Sequence, residues 1–189
     1  MLQPANREVT LPPASPPALP PAPPPARFNA AAYLLELNAG RSDRLAYIDD
    51  LQRLSYGALA DRVCRCAAGL RALGIKREER VLMAMHDSVD FPVAFLGAIF
   101  AGIVPVPVNT LLTADDYAFM LQDCGAQAVL VSNALWPNLQ GAAVTAGIPA
   151  IVSGGGDAPA GTRSFASLLA ATPLPAPADT RADDIGFWL

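Results

Sequence analysis

"RVLMAMHDSVDFPVAFLGAIFAGIVPVPVN", Arg80 to Asn109, is the stretch from which the rest of the chain is best read. It opens on "RVLMAMH", a near-continuous apolar run of the kind found in strands buried on both faces. Asp87 or Ser88 can then cap a helix running from Val89 to about Ala101. Gly102 stops that helix, and "IVPVPVN" forms a second strand. Phe91 to Val108 carries no charge and is just long enough to span a membrane. The break at Gly102 and the missing backbone donors of Pro105 and Pro107 favour a buried helix and strand instead.

The same alternation continues on both sides. Upstream, "AAAYLLELN" (30–38) reads as a short helix, and "LAYIDD" and "QRLSYG" as two short strands joined at Asp49-Asp50. From Tyr56 the period changes: Leu59, Val63, Cys66, Leu70 and Leu73 recur at three- and four-residue steps, one apolar helix face that Gly74 ends. Downstream, Thr113 caps a helix through "ADDYAFMLQDC", with Gly125 after it. "AQAVLVS" is a strand, "ALWPNLQGAAVTAG" a looser helix, "IPAIVSG" a strand and "SFASLLAAT" a short helix. "DDIGFWL" (183–189) reads as a turn feeding a buried interior strand. Strands and helices alternating at this spacing predict an α/β fold: a doubly wound, mostly parallel sheet with helices on both faces.

The chain has 189 residues, 52% apolar and 16% charged, which suits one domain with a sizeable core. More than half of the prolines fall in residues 1–25, so residues 1–26 are expected to be an extended, mobile tail, with the ordered unit at 27–189. A net charge of −4 argues against a nucleic-acid partner. Three cysteines and no basic-then-apolar leader suggest a reducing, cytoplasmic setting.

No complete catalytic or metal constellation is legible. "SGGGDAPAG" lacks the third glycine of a dinucleotide fingerprint, because Pro159 stands there, and this argues against a nicotinamide-dependent oxidoreductase. The only lysine, Lys76, lies in the polar connection "GIKREER", away from any phosphate loop. His86 is the sole histidine, expected to be partly buried and hydrogen-bonded rather than catalytic. Cys64 and Cys66 diverge on a helix and Cys124 ends another, so they read as structural thiols. Asp115 and Asp116 are explained by their place at a helix start.

"LSYGALADRV" (54–63) and "FLGAIFAGIVPVPVN" (95–109) resemble, in order and at plausible spacing, two leading motifs of the adenylate-forming superfamily. With "AYIDD", "RCAAGLRALGI", "NTLLTADDYAFML" and "AVLVS", the chain resembles the N-terminal portion of benzoate–coenzyme A ligases. The resemblance runs from about Arg27 to Leu189 and is weakest between about 133 and 180. It implies a two-step reaction in which an aromatic carboxylate attacks ATP, with Mg2+, and the acyl-adenylate then passes to coenzyme A. In the family a segment like "DDIGFWL" leads into a lysine-bearing triphosphate loop, so the catalytic and metal-binding residues are expected beyond this chain, which alone is expected to be inactive. Within it the resemblance leaves Asn109 and Thr110 as coenzyme A contacts, although "NTLL" lacks the arginine some relatives carry there. The alternative is a non-catalytic module that dimerises or binds a full-length ligase. The expected small-molecule partners exclude nucleic acid and membrane.

Overall fold

The computed structural model describes residues 23–189. The expectation of a mobile tail falls almost wholly on 1–22 and so lies outside the described residues. Order of elements follows the alternation: α1 (Ala30–Leu37), β1 (Leu45–Ile48), β2 (Arg53–Ser55), α2 (Tyr56–Ala72), β3 (Arg80–Ala84), α3 (Asp90–Phe100), β4 (Val104–Pro107), α4 (Ala114–Asp123), β5 (Ala128–Ser132), α5 (Trp136–Ala146), β6 (Ala150–Ser153), β7 (Arg163–Ser164) and α6 (Phe165–Leu169). The hairpin β1–β2 stands apart, and β4-β3-β5-β6-β7 form one parallel sheet.

Strand alternation divides the core in two. Val81, Met83, Ala128, Leu130 and Ile151 point to the face covered by α1, α2, α3 and α6. Leu82, Ala84, Val129, Val131 and Val152 point to the face covered by α4 and α5. The strands are therefore apolar on both sides, as a doubly covered sheet demands. Thr113 closes a full capping box with Asp116 at the start of α4, and Gly74 and Gly125 take positive φ just past α2 and α4. At β7 the chain adds a two-residue strand that the sequence reading missed; it is too short to show a period.

Three expectations need correction. Neither Asp87 nor Ser88 caps α3; Val89 occupies the cap position without a side-chain bond, and its N–H donates to Asp49 Oδ2 at 2.9 Å. The cap is supplied from the β1–β2 turn, forty residues away in sequence. His86 is exposed, and among the described residues only its backbone N–H is bonded, to Ser132 Oγ at 2.9 Å.

Phe187-Trp188-Leu189 is not an interior strand. It lies against the β4 edge through one bond, Trp188 N–H to Pro105 O at 3.1 Å, and Leu189 is 97% exposed. The physical reason lies in β4. Val104 and Val108 donate to the Glu79 and Met83 carbonyls on the β3 side, so the backbone nitrogens of Pro105 and Pro107 turn to the other edge and leave it without N–H donors there. A neighbour there receives no reciprocal ladder. The segment is nonetheless held: Phe187 packs edge-on to Phe95, and the Arg80 guanidinium lies over the Trp188 ring at 5.6 Å. Before it, the chain returns along α2 and α3 and pairs with the start of the described chain through Phe28 N–H to Thr180 O and the Arg27–Arg181 bridge.

Candidate functional site

Parallel α/β sheets bind ligands beyond the carboxyl ends of their strands, where neighbouring crossovers leave in opposite directions. Here that point lies between β3 and β5, because the chain goes from β3 outward to β4 and then back to β5 on the other side. Four loops gather at this end: His86–Ser88, Asn109–Leu112, Ser132–Asn133 and Ser153–Gly156. The bond from His86 N–H to Ser132 Oγ ties the first and third together.

Asn109 and Thr110 follow β4 at this end of the sheet. Asn109 Oδ1 accepts from Leu111 N at 2.9 Å, and its carbonyl accepts from the Tyr117 hydroxyl at 3.0 Å. Tyr117 is fully buried, so the loop is anchored from below by a rigid group. Asn109 is exposed and Thr110 half-buried. The loop offers neutral hydrogen-bonding groups and no cation.

Lys76 is exposed and precedes β3, at the amino end of the sheet, opposite the gathered loops. The glycine turn 154–156 has positive φ throughout, but no helix starts on it; β7 and α6 come later. Among the described residues no three His, Cys, Asp or Glu side chains converge as a metal would need. The described residues thus do not fit a triphosphate with its metal. Burial pushes the Cys66 thiol up to about 12, and raises Cys64 and Cys124 as well, which suits inert packing thiols.

Two hollows flank the switch point. A groove of about 850 Å³ is lined by Tyr47, Ile48, Leu51, Phe91 and Phe95. The second, about 590 Å³, lies between α2, the start of α3, the end of β6 and α6. Asp49 touches both. Its carboxylate accepts from Leu51, Gln52 and Val89 N–H groups, which hold its pKa below the ordinary range, the Val89 bond foremost. Asp90 is the reverse case: burial raises its pKa, opposed by the nearby Arg62. The Asp49-Asp50 turn was legible in the sequence, but its long-range bond to Val89 was not.

No helix among the described residues is long and apolar enough to cross a membrane. A parallel sheet in this order, covered on both faces and preceded by a helix and a hairpin, has the N-terminal α/β architecture of adenylate-forming enzymes. Residues 35–187 match the family described as AMP-binding enzyme, and the chain belongs to that family. It is 43% identical over 164 residues to the 4-hydroxybenzoate–CoA/benzoate–CoA ligase of Rhodopseudomonas palustris, covering 85% of this chain and 30% of that protein. It is likewise 43% identical over 171 residues to the benzoate–CoA ligase of Thauera aromatica, covering 86% and 31%. A crystal structure of a benzoate CoA ligase from Burkholderia xenovorans superposes with a TM-score of 0.80 at 48% identity, covering 86% of this chain and 32% of that one. The chain thus spans about a third of the length of these relatives.

Proposed function

We propose that residues 27–189 are the N-terminal α/β subdomain of a cytoplasmic, ATP-dependent aryl–CoA ligase whose substrate is benzoate or a close aromatic carboxylate. The observation that carries this reading is the identity of 43–48% to benzoate ligases across most of the chain. The reaction joins the carboxylate to the α-phosphorus of ATP with release of pyrophosphate, and coenzyme A then displaces AMP to give the thioester. Mg2+, held by groups other than the described residues, would offset charge on the phosphates. This chain's part is to frame the site. Its sheet sets the carboxyl-end loops, and Asn109 and Thr110, fixed by Tyr117, contact the uncharged part of coenzyme A.

Without a cationic cradle the 189-residue chain does not catalyse adenylation by itself. Benzoate-dependent pyrophosphate release tests this: none from residues 1–189, and release from the protein encoded by the gene read to its own stop codon. Release from the short chain alone rejects the assignment of the missing groups to the rest of the protein.

A second reading, a non-catalytic module that dimerises or binds a ligase, draws support from exposed apolar side chains around the larger groove, including Ile48 at 58% and Leu51 at 82%. Light scattering distinguishes it: a monomer at all concentrations, with no association with a full-length ligase, removes that reading.

A further inference from the structure

The smaller hollow contains polar groups that the ligase reading leaves unused. Ser153, at the end of β6, is 3% exposed, and its hydroxyl has no hydrogen-bond partner among the described residues. Its side chain shares the face of Ile151, two residues earlier, and that face looks toward α2 and α6, whose residues wall the hollow. A buried hydroxyl with no partner is uncommon in folded proteins and calls for an explanation. Asp90, at the start of α3 on the opposite wall, is half-buried, and its carboxylate makes no hydrogen bond or ion pair among the described residues.

The other polar groups of the lining are mostly engaged. Arg62 Nη1 donates to Gln52 Oε1 at 2.9 Å. Arg65 donates to Asp61 at 2.8 Å and to the Ala171 carbonyl at 3.1 Å. Asp49 receives its three N–H bonds. What remains open among the described residues is the Asp90 carboxylate, the Ser153 hydroxyl, which can both donate and accept, and the other N–H groups of Arg62. Asp49, Asp61, Asp90 and Asp157 outnumber Arg62 and Arg65 in the lining, so the hollow favours positive charge. The acids do not converge on a point as a metal ion requires. Phe165 and Leu169 supply apolar wall for a small organic body.

From these observations we infer that the hollow between α2, α3, β6 and α6 is a binding site for a small molecule bearing a primary ammonium group. The ammonium pairs with Asp90, and the Ser153 hydroxyl accepts a further hydrogen bond from the ligand. The site is independent of aryl–CoA ligation and does not need the coenzyme A loop.

The test is an amide-proton NMR titration of the 189-residue chain with ethanolamine, with 1-propanol and inorganic phosphate as comparison probes. Saturable shifts are expected at Asp90, Ser153 and Gly154 with ethanolamine only. Asp90→Asn and Ser153→Ala each weaken that response roughly tenfold, the loss of one charge-assisted or buried hydrogen bond. Ser153→Ala also removes an unpaired buried hydroxyl, so its melting temperature stays level or rises while the ethanolamine response falls. That pairing separates ligand binding from a packing role. Equal shifts with 1-propanol, saturation by phosphate, or an unchanged ethanolamine response in folded Ser153→Ala overturns the proposal.

Discussion

Two glycines in the middles of helices make opposite predictions for the same substitution. A Cβ on Gly69, in α2, would lie 2.8 Å from both Leu168 Cα and Leu168 O, and 2.9 Å from Leu168 Cβ. Two of those atoms are backbone, so no rotamer change in α6 relieves the clash. A Cβ on Gly141, in α5, meets nothing within 4 Å. Glycine-to-alanine inside a helix gains about 1 kcal/mol from propensity, whereas forcing a methyl into a packed contact costs about 1–3 kcal/mol. Gly141→Ala is therefore expected to stabilise by about 0.5–1 kcal/mol, raising Tm by roughly 1–4 °C in a chain of this size. For Gly69→Ala the rigid contact places the cost toward its upper end, so the net loss is about 1–2 kcal/mol and Tm falls by roughly 2–8 °C. Thermal unfolding followed by circular dichroism, with a urea midpoint as a check, reads both. If Gly69→Ala stabilises as much as Gly141→Ala, α6 is not seated on α2 and the wall of the ammonium site is wrong.

Asp49 should give the protein an acid-sensitive hairpin. Its folded-state pKa lies below the ordinary 3.8, so its contribution is in place above that value and disappears as pH falls through the folded value. Asp49→Asn is expected to flatten the low-pH end of a stability-versus-pH curve measured by urea unfolding, and an unchanged slope would contradict the bond to Val89. In native protein, iodoacetamide should label half-exposed Cys64 before the buried Cys66 and Cys124, read by peptide mass spectrometry; early labelling of Cys66 would contradict its burial. Tyr117→Phe removes the bond to the Asn109 carbonyl and should cost about 1 kcal/mol of stability. In the longer protein it should raise KM for coenzyme A more than it lowers kcat, and an unchanged KM would remove Asn109 and Thr110 from the binding loop.

Much of the fold was legible because its signals are local. The apolar runs at Val81–Ala84 and Ala128–Ser132 announce strands covered on both sides, and Thr113, Gly74 and Gly125 mark helix ends by their own chemistry. What stayed hidden depends on partners distant in sequence. Asp49 looked like a turn residue, and nothing near it shows that it also caps α3. Apolar composition alone made Phe187–Leu189 look like an interior strand, while the outcome depended on Pro105 and Pro107 emptying the adjacent edge of donors. Asn109 and Thr110 came from resemblance, and the fold adds the Tyr117 anchor beneath them. Asp90 and Ser153 belong to elements sixty residues apart, and only packing shows that they line one hollow.

The most direct measurement takes the protein encoded by the gene that contains this chain, read to its own stop codon, and supplies ATP, Mg2+ and coenzyme A with benzoate, acetate or a long-chain fatty acid in parallel. Mass spectrometry of the products should show benzoyl–coenzyme A and AMP as the dominant pair. A fatty-acyl thioester in preference to the aryl one, or no thioester from any of the three acids, would contradict the account.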